Sequence, residues 1–488
     1  MDLNQMSAVR MLDGFKSGNF SPVDVAKACL ARINETASAL NAFCYLDEAR
    51  TMNEAEASAS RWAVGLPKGI LDGVPVSIKD LIDVEGWPTM CGTKVIEPQK
   101  AIAKTNAITV ERLISQGAVL LGKTTTTEFG HKGVSDCPLT GATHNPWNGA
   151  MTTGGSSCGA GAAAAAGLGP LHLGNDGGGS VRIPASFCGV VGIKPGAGTI
   201  THPLPSITGP LVAAGPLARS LADAALMLDA LADRTGPSVV DGSANIGAQP
   251  FGGRLSLALA LPVKGMRVGL LATISDAPVD PITAAAVRHG ARLLSADGVT
   301  IKDAALDLPD AEAAYITILS AGTAMMADDY PAERLDLMEW GLKELIRVGR
   351  TITGQAYARA YHRVRGDFMA RLRALFAQHD VLILPTMPQA AFPLFHDYPG
   401  PQDRGWRADW TPFTFPFNLC GLPACSIPCG LDESGLPIGL QIVAPWGGEE
   451  KLMTVAGAIT RRLPRLVPPD FVTPDLCNAT GFTHKGAR

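Results

Sequence analysis

The stretch that decides the fold covers residues 154–195 and reads GGSSCGAGAAAAAGLGPLHLGNDGGGSVRIPASFCGVVGIKP. It places two serine-bearing glycine turns on either side of a run of small residues and a short apolar segment. The small residues predict a tightly packed helix, and residues 170–173 predict a short strand. We therefore expect the two serine turns at opposite ends of one helix–strand unit.

The second turn, Gly177-Gly178-Gly179-Ser180, is a run of backbone N–H groups with little side-chain bulk around them. Such a turn can direct several N–H donors at one oxygen. Stabilising the oxyanion of a tetrahedral intermediate needs that arrangement. A serine at the end of the turn could reach the carbonyl carbon of the same group, so Ser180 is a candidate nucleophile.

A serine nucleophile needs a base, and histidine is the usual one. None of the nine histidines lies inside either serine turn. His172 falls in the predicted strand and is interpreted as a core residue. His131 and His144 lie in predicted loops, where they could contact substrate.

Lysine is the next choice of base. Lys79 ends the apolar run GVPVSI at residues 73–78, which is typical of a buried strand. Burial disfavours the ammonium form and lowers the pKa of lysine, so a neutral amine becomes accessible. A salt bridge to Asp80 or Asp83 would explain the same position at least as well, and these residues alone leave the two roles open.

Two other glycine patterns match nucleotide-binding motifs. Residues 117–124, GAVLLGKT, fit the Walker A pattern, but the middle four are typical of a strand interior, whose N–H groups pair within a sheet. Residues 159–164, GAGAAA, fit the dinucleotide fingerprint, but a polar turn precedes them instead of a strand. We interpret the first as a strand and the second as a helix, and neither as a nucleotide site.

Three zones follow one another along the chain. Residues 1–66 are predicted to be helical, with one helix that begins at Ser21-Pro22 and another over residues 47–62. Residues 69–230 alternate apolar runs with glycine turns, and residues 231–488 repeat that pattern. Further strands are expected at residues 118–121, 266–271 and 381–384, and further helices at residues 110–116, 280–297 and 333–375. Strands that alternate with helices predict a doubly wound α/β sheet.

Residues 389–410 form a long irregular segment. It is rich in proline and in aromatic side chains, including Phe392, Phe395, Tyr398, Trp406 and Trp410. Segments of this kind are often lids or binding loops. An excursion over the surface would explain the composition equally well.

The composition indicates a globular protein without nucleic acid as partner. Of 488 residues, 46% are hydrophobic and 18% charged, which is enough to bury a large core. The net charge is −4, no long basic run occurs and aromatic residues are only 6%, so no nucleic-acid surface is expected. The N-terminus resembles no secretory signal, and no apolar stretch is long enough to predict a membrane span. These features favour a soluble cytoplasmic protein.

The ten cysteines include no CxxC pair. The nearest cluster, Cys420, Cys425 and Cys429, has a spacing that fits no common zinc motif. We therefore expect reduced, mostly buried thiols.

Several blocks together resemble the amidase signature family. They are the motif at residues 154–195, GVPVSIKDLIDVEG and GAVLLGKTTTTEF before it, LPTMP at residues 384–388, and PFNLCGLPACSIPCGLDESGLPIGLQIVAP near the C-terminus. The blocks occur in the family's order and span residues 21–463. The resemblance implies one domain over residues 1–488, an α/β/α sandwich around a large twisted mixed sheet.

The resemblance also implies roles for individual residues. It makes Lys79 the base, Ser156 the relay, held by a cis peptide bond, and Ser180 the nucleophile. It places the oxyanion-hole amides on Gly177, Gly178, Gly179 and Ser180. It gives supporting roles to Ser157, Asp176 and Arg182. No metal or cofactor is implied.

Two positions depart from the family's pattern. Asn175-Asp176-Gly177 stands where Thr-Asp-Thr is common, and Cys158 stands where the family has the first glycine after the two serines. Neither departure removes a catalytic group. The absence of a side chain at Gly177 leaves more room beside the nucleophile.

The implied activity is hydrolysis of an amide-type C–N bond through an acyl-enzyme. The apolar content of residues 315–326 and 389–410 favours a medium-sized, mostly apolar amide, anilide or carbamate, and hence aryl acylamidase or urethanase activity. The alternative within the family is the amide-transfer subunit that acts on misacylated tRNA with partner subunits. A non-catalytic binding protein is a second alternative, against which the intact set of Lys79, Ser156 and Ser180 argues.

No heptad repeat indicates the oligomeric state. The N-terminal helices and those of residues 333–375 could mediate a homodimer.

Overall fold

Short, fully buried apolar runs form the strands at the centre of the molecule. A computed structural model describes residues 2–200, 206–232, 254–402 and 406–469. The strands in these ranges are β1 Phe43–Leu46, β2 Pro75–Lys79, β3 Val119–Thr124, β4 Asp136–Cys137, β5 Gly141–Ala142, β6 His144–Asn145, β7 Asn148–Thr152, β8 Leu171–Asp176, β9 Val191–Lys194, β10 Ala213–Ala218, β11 Arg267–Leu271, β12 Thr300–Ala304, β13 Val381–Pro385, β14 Ala424–Leu431 and β15 Pro437–Val443.

Eleven of these strands form one mixed sheet in the order β1-β3-β2-β8-β10-β9-β14-β15-β13-β11-β12. The pairs β3–β2, β2–β8, β13–β11 and β11–β12 are parallel. The other neighbouring pairs are antiparallel. The predicted α/β class and the large mixed sheet are confirmed.

Helices pack against the sheet. They are α1 Ala8–Ser17, α2 Pro22–Leu40, α3 Glu48–Ala63, α4 Ile108–Ser115, α5 Cys158–Ala166, α6 Arg182–Cys188, α7 Leu221–Leu231, α8 Leu255–Ala258, α9 Pro281–Arg292, α10 Ala311–Ala327, α11 Ala332–Leu335, α12 Trp340–Gly349, α13 Gly354–Ala358, α14 Arg365–Gln378, α15 Phe415–Leu419 and α16 Glu449–Thr460. A wider π turn, Arg359–Val364, joins α13 to α14, so residues 333–375 are largely helical as predicted.

The two faces of the sheet carry different neighbours because side chains alternate along a strand. Val76 and Ile78 of β2 pack into the large core together with α4, α7, α9 and α16. Lys79 points to the other face, where α5 packs against β2, β3, β8 and β10. Lys79 is also the last residue of β2, and Asp176 is the last of the parallel neighbour β8. Both residues therefore lie at the carboxyl edge of their strands, where α/β sheets usually bind ligands.

The N-terminal zone is helical except for one strand that the sequence did not indicate. Ser21 caps α2 and forms a capping box with Asp24, as its position before Pro22 predicts. Between α2 and α3, the four-residue strand β1 pairs with β3 at the edge of the sheet through Phe43, Tyr45 and Leu46. A strand this short carries too little periodicity to be recognised from the sequence. Its partner β3 lies about 80 residues further along the chain, so no local pattern indicates the pairing.

The two glycine patterns adopt the predicted conformations. The end of the Walker-like segment is strand β3, whose six residues are all buried in the sheet. The GAGAAA segment lies within α5, which is buried along its whole length and ends at Gly167 in the left-handed conformation. A side chain at Gly161 would press on Pro184 of α6, so the small residue permits the close approach of these two helices.

In the described part of the chain, no helix is long and apolar enough to cross a membrane. The nine cysteines of that part are free thiols, and seven of them are buried. The predicted burial of most thiols is confirmed for this part of the chain.

Candidate active site

Lys79 lies at the centre of a hydrogen-bonded cluster at the carboxyl edge of β2. Its side chain is fully buried, and its Nζ lies 2.7 Å from Ser156 Oγ and 2.7 Å from Asn175 Oδ1. Burial lowers the pKa of Lys79 to about 7. The neutral amine is therefore accessible near neutral pH, beside a hydroxyl from which it could take a proton.

The alternative of a salt bridge at Lys79 is not what the structure shows. Asp80 instead faces Lys123 of β3, whose Nζ lies 3.6 Å from the carboxylate, and its oxygens also accept from the amides of Met90 and Gly92. Among the described residues, no carboxylate forms an ion pair with Lys79. The base role remains chemically available to Lys79 because its amine has only neutral hydrogen-bond partners.

Ser156 lies in the turn that leads into α5. The peptide bond between Gly155 and Ser156 is cis, as the family resemblance implied. The side chain is buried, and its Oγ faces Lys79. The next residue, Ser157, donates its N–H to the carbonyl of Ser180 at 3.1 Å and its hydroxyl to the carbonyl of Asn175 at 3.2 Å. Ser157 thus links the two serine turns.

A buried ion pair supports the glycine turn. Arg182, at the start of α6, places its guanidinium on both carboxylate oxygens of Asp176 at 2.9 Å. Burial by itself would raise the pKa of Asp176, but the Arg182 charge and its hydrogen bonds hold that pKa well below its usual range. The carboxylate also accepts from the amides of Gly179 at 2.7 Å and Val181 at 3.2 Å. Asp176 therefore fixes the path of the backbone on both sides of Ser180.

The four amides expected to hold an oxyanion are not equivalent. That of Gly179 is engaged by Asp176. Those of Gly177, Gly178 and Ser180 have no backbone acceptor within the described chain. Gly177, Gly178 and Ser180 also line a cavity, whereas Gly179 does not. Three amides are thus free to serve a ligand in that cavity.

The cavity has a volume of about 190 Å³ and contains both serine positions. The hydroxyls of Ser156 and Ser180 form no hydrogen bond with each other in this structure. Most of the other lining residues are apolar or aromatic: Leu81, Cys91, Phe129, Ile207, Val212, Tyr315, Met325 and Met326. Among the described lining residues, Asp329 is the one with a carboxylate, and it is exposed.

Of the two segments expected to shape a substrate pocket, one reaches this cavity. Tyr315, Met325 and Met326 of α10 lie in its wall. The described part of residues 389–410 instead packs on α6 through Phe392 and lines a separate cavity of about 240 Å³. The segment therefore does not contribute to the serine cavity through its described residues, which corrects that part of the expectation.

The histidines also lie away from the serine cavity in the described structure. His172 is buried and bonds Ser77 at 2.7 Å, as its core interpretation predicts. His131 is buried against the carbonyl of Glu128, and His144 bonds the carbonyl of Gly149. Neither lines the cavity. His202 and His484 lie outside the described residues.

Several residues of the site were not identified from the sequence. The sequence marks Asn175 only as a departure from the family's pattern, yet this residue binds Lys79 directly. Asn418 donates to Asp176 at 2.9 Å, and Gln441 accepts from Arg182 at 2.8 Å. Both lie in the C-terminal block that resembles the family, and that block was the only signal that could have indicated them. No group of His, Cys, Asp or Glu in the described chain is arranged to hold a metal ion.

Comparison with known proteins identifies what this arrangement is similar to. The protein-family model described as Amidase matches residues 24–453. An acylamidase of Rhodococcus erythropolis is 35% identical over 455 residues, which cover 91% of this chain and 92% of that protein. A glutamyl-tRNA(Gln) amidotransferase subunit of Thermus thermophilus is 36% identical over 462 residues, covering 90% and 93%. The crystal structure of a bacterial aryl acylamidase of the amidase signature family superposes with a TM-score of 0.86 at 25% identity, covering 94% of this chain and 96% of that one.

Proposed function

Because this chain belongs to the Amidase family and is a hydrolase of amide C–N bonds, we propose that it cleaves them through an acyl-enzyme on Ser180. Ser156 is the relay and Lys79 the base of this reaction. The observation that carries the proposal is the 2.7 Å contact between Lys79 Nζ and Ser156 Oγ. It places a buried amine of lowered pKa on a hydroxyl that shares a cavity with Ser180.

The proposed reaction begins with proton transfer. Neutral Lys79 takes a proton from Ser156, which takes the proton of Ser180 as its oxygen attacks the carbonyl carbon. The relay then returns a proton to the leaving nitrogen, which amide cleavage needs because an amide anion is a poor leaving group. Water hydrolyses the acyl-enzyme by the same route.

The free amides of Gly177, Gly178 and Ser180 are the proposed donors to the oxyanion. Gly179 was expected to share that role, but its N–H donates to Asp176. We therefore assign Gly179 to the shape of the turn. Asp176 and Arg182 hold the turn in place, and Ser157 ties it to the relay.

The cavity wall supports a neutral, mostly apolar substrate. Apolar and aromatic side chains form most of it, and no described lining residue is cationic. A substrate carboxylate would therefore enter without a charged partner, which is unfavourable in a partly dry site. We propose a medium-sized amide, anilide or carbamate. Carbamates undergo the same attack at the carbonyl and expel an alcohol or an amine.

The amidotransferase alternative rests on the 36% identity to the Thermus thermophilus protein. That reaction would draw its ammonia from glutamine, whose α-carboxylate has no cationic partner among the described cavity residues. Aryl acylamidase or urethanase activity is therefore our first proposal. Glutaminase activity that requires tRNA and partner subunits would support the alternative.

The proposed partners are small molecules, with no nucleic acid. The homodimer expected from the N-terminal helices and residues 333–375 stays a prediction. Light scattering after size-exclusion chromatography would give the mass of the particle, and a single-chain mass would contradict it.

The proposed function is tested with p-nitroacetanilide and a p-nitrophenyl carbamate. Wild type should release chromophore, and Ser180→Ala, Ser156→Ala and Lys79→Ala should each lose most of the rate, by roughly 100-fold or more. A fluorophosphonate probe should label wild type and not Ser180→Ala. Ser115→Ala, at an exposed site on α4, is the matched control. Full activity in Ser180→Ala would overturn the proposal.

A further inference from the structure

Both oxygen atoms of Asn175, that of the side chain and that of the backbone, contact the amine of Lys79. Its side-chain Oδ1 lies 2.7 Å from Nζ, and its backbone carbonyl oxygen lies 3.5 Å away. The same carbonyl accepts the hydroxyl of Ser157 at 3.2 Å. Asn175 also lines the cavity, one residue before Asp176 at the end of β8. The reaction described above does not use it.

The hydrogen bonds that a neutral amine can form restrict the orientation of the Lys79 amine. A neutral lysine amine has two N–H donors and one lone pair. Both oxygens of Asn175 can only accept, so each takes one N–H. The remaining neighbour, Ser156 Oγ at 2.7 Å, is the one that carries a proton to give. With both N–H groups engaged by Asn175, the lone pair is directed at the Ser156 hydroxyl.

We propose that Asn175 is a positioning residue for the base: it holds both N–H groups of neutral Lys79, so that the lone pair of the amine faces Ser156. This inference rests on the proposed roles of Lys79 and Ser156. Without Asn175 the amine could rotate and donate to Ser156, and in that orientation it cannot accept the proton.

The orientation of the Asn175 amide follows from the same neighbour. Lys79 is a donor in both protonation states, so an Asn175 Nδ2 turned towards it would set donor against donor. The carboxamide therefore keeps Oδ1 on Lys79. Nδ2 has no hydrogen-bond partner within the described chain, and Asn175 is part of the cavity wall. No described residue therefore favours the other orientation.

The other groups around Lys79 leave its amine without a charged contact. Cys158 on α5, Asp176 of β8 and Cys91 after β2 act electrostatically on the pKa of Lys79, and none of them forms a hydrogen bond or an ion pair with Nζ in the described structure. Asp176 is already paired with Arg182. A carboxylate at position 175 would therefore be the first anion in direct contact with Nζ.

The decisive variant is Asn175→Asp, which keeps the size and the Oδ1 atom of the side chain but adds a charge. A contacting carboxylate favours the ammonium form of lysine, so the acidic limb of kcat/KM should move to higher pH by about 1 unit or more. Activity lost at pH 7 should return at higher pH. Asn148→Asp, at an exposed position of β7, is the control and should keep the wild-type profile.

The second variant is Asn175→Leu, which removes the acceptor at similar size. It should lower kcat by roughly 10-fold or more while KM changes little, because the amine loses its orientation and the cavity keeps its shape. The shift of the pH limb in Asn175→Asp tests the contact between this side chain and Nζ, and the loss of kcat in Asn175→Leu tests whether the amine needs the acceptor. An unshifted limb together with wild-type kcat in both variants would overturn the inference, whereas the Ser180 labelling test would still report on the proposed function. If Asn175→Leu does not fold, the kcat of Asn175→Ala provides the same test of the missing acceptor.

Discussion

Nζ of Lys79 lies 2.7 Å from Oγ of Ser156, while Nζ of Lys123 on the adjacent strand lies 3.6 Å from a carboxylate oxygen of Asp80. Both lysines are fully buried. One has a charged partner, and the other has only neutral ones within the described chain. The strand pairing accounts for the difference, because it sets Ile78 beside Lys123 and Lys79 beside Thr124. Two buried lysines on neighbouring strands therefore have different partners, one neutral and one charged.

The pH dependence of catalysis should report the pKa of Lys79. Burial lowers that pKa to about 7, and only the neutral amine can act as base. We therefore expect kcat/KM to rise with pH through about pH 7 and to level off above it. Initial rates on p-nitroacetanilide between pH 5 and pH 10, on enzyme whose fold is checked by circular dichroism at each pH, measure this. An acidic limb close to the ordinary lysine value would contradict the assignment.

The two lysines should differ in what they contribute to stability. Lys79→Met should unfold at a temperature no lower than wild type at pH 7, because it removes a buried amine whose charge the fold disfavours. Lys123→Met leaves the buried Asp80 carboxylate without its partner and should lose about 3–5 kcal/mol of unfolding free energy. Thermal and urea unfolding of both variants measure the contrast. Equal losses would show that Lys79 is needed for the fold.

The stability difference between wild type and Lys79→Met should also depend on pH. The folded pKa of Lys79, about 7, lies below its ordinary value of 10.5, so between these pH values the unfolded chain binds a proton that the folded chain does not. Wild-type stability should therefore rise relative to the variant by about 1.4 kcal/mol per pH unit within that window. A flat difference from pH 7 to pH 10 would contradict the lowered pKa.

Gly178 should tolerate a side chain less well than Gly177. A methyl group at Gly178 would overlap the Tyr315 hydroxyl and ring, and that ring is fixed by stacking on Phe415 at 5.0 Å. A methyl group at Gly177 would meet the end of the Thr208 side chain, which can rotate. We expect Gly178→Ala to lower kcat by roughly 100-fold, as loss of an oxyanion donor does, and Gly177→Ala to lower it less.

A double variant separates the steric cause from other effects at Gly178. Removing the ring with Tyr315→Ala should restore part of the activity of Gly178→Ala. The two variants are compared by kcat on the same anilide. If the double variant is no more active than Gly178→Ala, the overlap with Tyr315 is not the cause.

Asp176→Asn should impair both the fold and the nucleophile. The change replaces the carboxylate that binds the buried Arg182 guanidinium with a neutral amide. The loss of this buried ion pair should cost about 3–5 kcal/mol of unfolding free energy. Since the folded pKa of Asp176 is held below its ordinary value, its contribution is present above pH 4 and is lost only as the pH falls through the lower folded value. Urea unfolding and fluorophosphonate labelling measure the two effects. Glu344→Gln, in the exposed pair with Arg347, is the control and should change neither.

A cation at the cavity rim should change the charge preference of the site. Met325 lines the cavity and is 52% exposed, so a longer polar side chain there can reach solvent. Met325→Lys should raise kcat/KM on an anionic amide such as malonamate, relative to the neutral anilide, by about fivefold or more. Met325→Leu, which adds no charge, should leave the ratio unchanged. An equal effect of both substitutions would show that size, and not charge, governs the rim.

The local patterns that predicted this protein well are those with a short-range physical cause. Ser21 before Pro22 predicts the start of α2 because capping and proline geometry act within one turn. The alanine-rich run predicts α5, and the apolar run before Lys79 predicts a buried strand. The same local patterns failed at β1, which pairs with a strand about 80 residues further along the chain.

The family blocks indicated the main residues of the site, but the contacts of these residues depend on the fold. Lys79, Ser156 and Asn175 meet because β2 pairs with β8 and α5 covers the end of both strands. The guanidinium of Arg182 also donates hydrogen bonds to Asn418 and Gln441, which lie more than 230 residues further along the chain. Residues 389–410 had the composition of a binding loop, yet their described part lines a different cavity.

The sequence by itself determined the family and the mixed α/β architecture, and it marked Lys79, Ser156 and Ser180 as candidates, because each motif consists of residues that are close together along the chain. Tertiary structure alone decided that Asp80 pairs with Lys123, that the hydrogen-bond partners of Lys79 are neutral and that Asn175 contacts its amine. The reason is physical: the pKa of a buried group and the direction of its hydrogen bonds are set by neighbours that strand register and helix packing bring from distant parts of the chain.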